Sequence, residues 1–183
     1  MTASLIPMRA LTVWQPWASL IIAEAKPFEF RKWRMPRALI GQRIVIHAAA
    51  RSIDRAEVER LYAILVRRDR NEDYRRLAAT LCLHAELAIP VLEAALDGKL
   101  PIAAGIGTAV VGESVYGLDV AERFGVPRVN DSSRDEHANW GWPLTDIEPW
   151  PQPVPMRGYQ GFWTWPTAAQ LLDEPQAGQE RAA

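Results

Sequence analysis

Cysteine is almost missing from this chain. Cys82 is the only one in 183 residues, so no disulfide can form within the chain and no cysteine cluster can hold zinc. A reducing compartment fits, and a cytoplasmic protein is expected. Long apolar runs are missing too. Nothing approaches the roughly 20 residues needed to span a bilayer, and the opening MTASLIPMRALTV lacks the charged and apolar regions of a signal peptide. The reading is therefore a soluble protein with no membrane partner. Histidine is scarce: His47, His84 and His137 fall in an expected strand, helix and loop with no metal-ligand spacing, so no metal and no cofactor is expected. Gly105-Ile106-Gly107 is too short for a phosphate-binding fingerprint and precedes a strand, where dinucleotide folds place theirs before a helix. A net charge of −1 argues against a general DNA-packaging protein coated in positive charge. No internal repeat is present.

What is present is uneven. From Lys26 to Arg55 stand eight basic residues (Lys26, Arg31, Lys32, Arg34, Arg37, Arg43, Arg51, Arg55) against two acids, Glu29 and Asp54, a local excess of +6. Such a stretch is either a solvated strand edge guarded by charge or an anion-binding face. Eight tryptophans gather at the two ends, Trp14, Trp17 and Trp33 early, then Trp140, Trp142, Trp150, Trp163 and Trp165 late. The length allows one domain with a substantial core, taken as residues 1–173, with 174–183 as a disordered tail.

Patterning gives the elements. Arg9 to Trp14 reads as a strand, and Gln15-Pro16-Trp17 opens a helix to about Ala25, with the proline at the first helical position. That helix start either faces an anion or is capped by Gln15 or water. Phe28 to Arg34 alternates, so Phe28 and Phe30 take one face while Glu29, Arg31 and Trp33 share the other. After a turn over 36–41, Gln42 to Ala48 is a β-branched central strand, with His47 satisfied locally. Residues 52 to about 100 turn helical, with stripes Val58, Leu61, Tyr62, Leu65 and Tyr74, Leu77, Ala78, Leu81 expected in the core. Ser52 and Asn71 are expected N-caps, and a third short helix follows Pro90 and stops at Gly98. Strand character returns over Gly107 to Tyr116, placing Glu113 in an apolar row where it needs a partner. Asn139 to Leu144 and Gly161 to Trp165 are expected as final strands, joined by an extended proline-rich connection.

Four segments, LTVWQPWASLI, AKPFEFRKWR, GQRIVIHAA and NWGWPLTDIEPWPQPVPMRGYQGFW, follow one another as in ASCH (activating signal cointegrator homology) domains, and the chain resembles that family over residues 8–50 and 105–166. The resemblance implies an α+β fold: a small PUA-like β-barrel with an N-terminal helix beside a cleft and, here, a helical insertion at about 52–100. It also implies binding of RNA or a modified nucleobase through a basic, aromatic cleft between that first helix and the barrel. The family pattern G-x-K-x-x-E-x-R is met at Lys26, Glu29 and Arg31, but Glu24 stands where the glycine belongs.

An acid between two cations is either a self-satisfying salt-bridge cluster or a ligand site. In the second case Arg31 grips a phosphate or base edge, Lys26 adds a point charge and Glu29 holds both. Gln15, Trp17, Lys26, Glu29, Arg31, Trp33 and Arg51 are the candidate ligand-binding residues, Trp17 and Trp33 for stacking; each tryptophan is equally a candidate for the core. The expected partner is single-stranded RNA or a nucleoside-like small molecule. Some members the chain resembles are N4-acylcytidine amidohydrolases that use a lysine, a threonine three residues on and a later glutamate. Lys26 and Glu113 fit two of these places, while Glu29 fills the third without a hydroxyl, which counts against that reaction. Others are single-strand ribonucleases, for which Lys26, Ser114 and Tyr159 are candidates. A third reading is a protein-interaction module that binds a partner through the insertion.

Overall fold

The computed structural model describes residues 7–126 and 139–166. Seven strands, β1 (Arg9–Val13), β2 (Phe28–Arg31), β3 (Arg43–Ala48), β4 (Ala104–Val111), β5 (Val115–Tyr116), β6 (Trp140–Pro155) and β7 (Phe162–Thr164), form one sheet in the order β2-β6-β4-β3-β1-β7, with β5 beside β6. β1 and β3 run parallel and the other described pairings are antiparallel. The sheet curls into a half-barrel, and the mixed α+β class is as expected.

The central strands are buried on both faces. Leu11, Ile44, Ile46 and Ala109 meet Trp142 and Leu144 on the inner side, while Ala10 and Val45 meet Trp163 and Trp165 on the outer side. A strand covered twice reads as a continuous β-branched run, which RIVIH is. β6 is longer than the sequence indicates and absorbs the proline-rich stretch expected as a connection. Only its first residues, Trp140 to Pro143, pair with β2. From Leu144 on it pairs with β4, and its other side is a sheet edge, where a proline's missing N–H costs no ladder bond.

Helix α1 (Trp17–Ile22) is shorter than expected, and Pro16 is its N-cap rather than its first residue. Six residues do not hold a helix in water. This one persists because Ala18 and Ile21 pack on the barrel core while Leu20 packs on a second, helical core. Each fully buried aliphatic side chain of this size contributes about 2 kcal/mol.

The second core belongs to the helical block, α2 (Arg55–Arg67), α3 (Glu72–Thr80) and α4 (Ala85–Leu96). Asp54, not Ser52, caps α2 by accepting from Glu57 N–H, because the helix begins two residues later than a cap at Ser52 implies. Asn71 caps α3 as expected, accepting from Tyr74 N–H. α4 starts five residues before Pro90 and carries it on its exposed side. Gly98, at φ +69°, ends α4, with Lys99 N–H donating to Ala94 O. α3 buries only Ala78, and Leu77 is 44 % exposed. Among the described residues no single helix is long and apolar enough to cross a membrane.

β4 begins at Ala104 and ends at Val111, so Glu113 is not in an apolar row. It lies exposed in the loop before β5, and water replaces the partner expected for it. A helix the sequence reading lacks, α5 (Gly117–Arg123), follows β5 and packs Val120 and Ala121 on Phe28, Phe30 and Cys82. His137 and the tail expected beyond Asp173 lie outside the described residues.

His47 is fully buried and satisfied locally, as anticipated. Its Nε2 lies 2.9 Å from Met156 O and its Nδ1 3.3 Å from Thr12 Oγ1, which accepts from the Trp163 indole at 3.0 Å. A neutral ring with its proton on Nε2 satisfies all three bonds: it donates to Met156 O and accepts from the Thr12 hydroxyl. Burial lowers the His47 pKa from its ordinary 6.5, against the opposing pull of Met156 O. The unfolded chain thus takes up this proton before the folded one does, so His47 favours folding above about pH 6.5 and that contribution is lost as the pH falls below it. In urea unfolding followed at successive pH values, wild type should lose more stability on acidification than His47→Gln. Parallel profiles would refute this role.

Candidate functional site

Everything near the basic stretch is set by how α1 starts and stops. At its start, Gln15 Oε1 accepts from Ser19 N–H at 3.1 Å, and Gln15 Nε2 donates to Ser19 Oγ and Pro101 O, both at 2.8 Å. Gln15 therefore caps the turn, and its buried amide ties α1 to the segment before β4. At its stop, Glu24 N–H donates to Ile21 O, and Ala25 N–H to Leu20 O, both at 2.9 Å. This is the double bond pattern of a left-handed helix end. Glu24 occupies the left-handed position at φ +56°, which is why the pattern has glycine there. The same closure at α4 uses Gly98.

The turn delivers Lys26 into the interior. Lys26 is 2 % and Glu29 5 % exposed. Lys26 Nζ lies 3.7 Å from Glu29 Oε2, and Arg31 donates to Glu29 Oε1 at 2.8 Å. The lysine ammonium also lies 5.1 Å from the Trp17 ring centre and 5.0 Å from that of Phe30. Glu29 and Arg31 share a sheet face because they stand two residues apart on β2, opposite Trp142 and Trp140 of β6. The Arg31 guanidinium lies 5.9 Å from the Trp142 ring, and its Nε–H is the one described buried side-chain donor with no hydrogen-bond acceptor. The three charges thus form one cluster, sealed at Lys26 and partly open at Arg31.

At Trp140, the residue opposite Arg31 in the sheet register, the surface opens into a cleft of about 740 Å³, lined by no residue of α1 and so distinct from the cleft expected between that helix and the barrel. Its aromatic wall is Trp140 with Tyr116 edge-on at 5.3 Å, and Arg34 lies over the Trp140 ring at 4.2 Å. Glu113, Ser114, Val115 and Asp119 complete the lining. The wall carrying Arg34 is pinned twice: Trp142 Nε1–H donates to Trp33 O at 3.0 Å, and Met35 N–H donates to Ser114 Oγ at 2.7 Å.

The other candidates are dispersed. Trp17 is half-buried between the two cores and hydrogen-bonded to Glu57, whose pKa is raised, first by burial, while Arg60 and the Trp17 bond pull it down. Trp33 is 49 % exposed, edge-on to Trp142. Arg51 covers the exposed Trp14 ring at 4.1 Å. Tyr159 is exposed against Trp163, away from Lys26, on the β6–β7 connection. Of the four candidate catalytic residues, the structure brings only Glu113 and Ser114 into one cleft. Asp119 was missed because α5 carries no clear periodic signal, Tyr116 because it closes a strand whose pattern marks no site, and Glu57 because its stripe reads as plain helix surface.

The family model of the ASCH domain matches residues 11–105. The chain belongs to the ASCH domain family. The match holds the whole Lys26–Glu29–Arg31 cluster, runs through the helical block and stops at the start of β4. Among solved structures, ASCH from Zymomonas mobilis is similar at 15 % identity, with 91 % of this chain and 93 % of that chain covered and a TM-score of 0.47. A serine-to-alanine mutant of the Zymomonas mobilis protein is similar at 15 % identity, 88 % and 92 % coverage and a TM-score of 0.46. No curated protein matches.

Two substitutions test how this ASCH domain holds its charges. Glu29→Ala leaves Lys26 and Arg31 without their shared carboxylate, and removing one partner from a buried ionic cluster should destabilise by about 3 kcal/mol in denaturant unfolding. A loss below about 1 kcal/mol, the range of an exposed pair, would show that the cluster is wet. Glu24→Gly removes a left-handed strain of about 1 kcal/mol against a smaller entropic cost, so it should raise the unfolding midpoint. A lowered midpoint would contradict this account of the helix end.

Proposed function

We propose that this ASCH domain binds single-stranded RNA or a modified nucleobase at the Trp140 cleft. ASCH domains are generally RNA-binding, and the observation that carries the reading here is the Trp140 wall. It is an indole in an open cleft, covered by the Arg34 guanidinium at 4.2 Å, with Arg31 opposite it in the sheet register. Proteins that take up unpaired bases stack them on aromatic rings and reach the phosphates with Arg and Lys. Lys32, Arg34 and Arg37 follow Arg31 on exposed backbone and supply that basic edge.

Lys26 fits positioning better than covalent chemistry. A nucleophile must reach its substrate, whereas Lys26 is 2 % exposed and packed against Glu29, Trp17 and Phe30. Ser114, the candidate nucleophile within the cleft, accepts from Met35 N–H, a bond that holds the cleft wall. These observations favour a reader over a hydrolase.

Tryptophan fluorescence of wild type, Trp140→Ala and Arg34→Ala, titrated with a short single-stranded RNA at several salt concentrations, tests this reading. Quenching should strengthen as salt falls. Trp140→Ala should lose about 1–3 kcal/mol of binding, and Arg34→Ala should reduce the log–log salt slope by about 0.7. Chromatography of the same mixtures should return intact RNA. Cleavage would favour the ribonuclease reading, and absence of quenching at every salt concentration would overturn RNA binding.

A further inference from the structure

The cleft is acidic where its surroundings are basic. Of its charged lining residues, Arg34 is one cation against two carboxylates, Glu113 and Asp119. Both line the cleft, both are exposed, and neither contributes to a described salt bridge. A pocket for phosphate would not carry two like charges against it. The layout separates two tasks: phosphates follow the basic residues from Arg31 to Arg37, and the cleft receives the base.

A base beside carboxylates is selected by its hydrogen-bond donors, because an ionised carboxylate only accepts. Guanine presents an imino N–H and an amino group side by side, matching the two oxygens of one carboxylate. Cytosine and adenine each present an amino group. Uracil presents one N–H between two carbonyls, and those carbonyls bring lone pairs against Glu113 or Asp119. Ser114 completes the set: its oxygen already accepts from Met35 N–H at 2.7 Å, and its own O–H remains a donor suited to a ring carbonyl.

Resting on the binding reading above, we propose that Glu113 and Asp119 are specificity-determining residues, selecting bases with amino and imino donors, guanine foremost, over uracil. The test uses fluorescence anisotropy of short labelled oligouridines carrying one central guanine, hypoxanthine or uracil, with wild type and with Glu113→Gln/Asp119→Asn. Both positions are exposed, so the variant keeps the fold, and far-ultraviolet circular dichroism confirms that it has.

Wild type should favour guanine over uracil by roughly tenfold, with hypoxanthine between, because it keeps the imino donor and lacks the amino group. In the double variant the preference should fall below about twofold, with uracil binding gaining. Salt-sensitive binding that is equal for all three bases would overturn the selectivity and leave the binding reading intact. A guanine preference that survives the double variant would also overturn it, by assigning the discrimination elsewhere. No binding of any oligonucleotide would overturn both.

Discussion

A carboxylate at 5 % exposure is tolerable only against cations, and Glu29 has two, Lys26 Nζ at 3.7 Å and Arg31 at 2.8 Å. Desolvating these charges costs several kcal/mol per ion, and their attraction offsets that cost only when the geometry is held. The geometry is held from outside the cluster. β2 is fixed against β6 by a register that puts Glu29 opposite Trp142 and Arg31 opposite Trp140. Lys26 is delivered by the left-handed turn at Glu24 and confined between the Trp17 and Phe30 rings. Loosening either side leaves a charge without its partner, so the end of α1 and the edge of the sheet are coupled through one side chain.

That coupling explains the two-core organisation. α1 is too short to be stable on its own propensity, yet it carries the pattern residues of the family into place. It does so by belonging to both cores, with Ile21 toward the barrel and Leu20 toward the helical block. The helical block is therefore more than an appendage to the barrel. It supplies Val58, Leu61 and Leu92 as the second wall against which α1 is set, and Glu57 takes a bond from Trp17 on the same side.

Much of this was legible in the sequence, and what was missed has physical causes. The alternation from Phe28 to Arg31, the β-branched RIVIH, the Asn71 cap and the stop at Gly98 are local signals, and the fold obeys them. Within the segments that carry the resemblance, the family pattern falls on Lys26, Glu29 and Arg31, which the structure gathers into one cluster. The misses are cases where tertiary context decides. Pro90 rides on the exposed side of α4, the prolines of β6 lie along a sheet edge, and Leu77 stays in water because α3 meets its neighbours through Ala78. Periodicity cannot report which edge of a strand is unpaired. The candidate site was legible in part for the same reason: the charged cluster is nearly contiguous in sequence, whereas the cleft is assembled from Arg34, the 113–119 segment and Trp140, parts that meet only through β5, α5 and β6.

The resting state of the cleft also bears on how a base would enter. Arg34 already covers Trp140, so an incoming base competes with a cation for the same indole. An exposed cation–π contact is worth about 0.5–1 kcal/mol, and a base stacked on an aromatic side chain about 1–3 kcal/mol. On the proposed binding reading, exchange would favour the base and would release a guanidinium at the rim to pair with the phosphate of the same nucleotide. Trp14 under Arg51 repeats the arrangement at the start of α1. In both places the arginine shields aromatic surface that would otherwise be available for self-association.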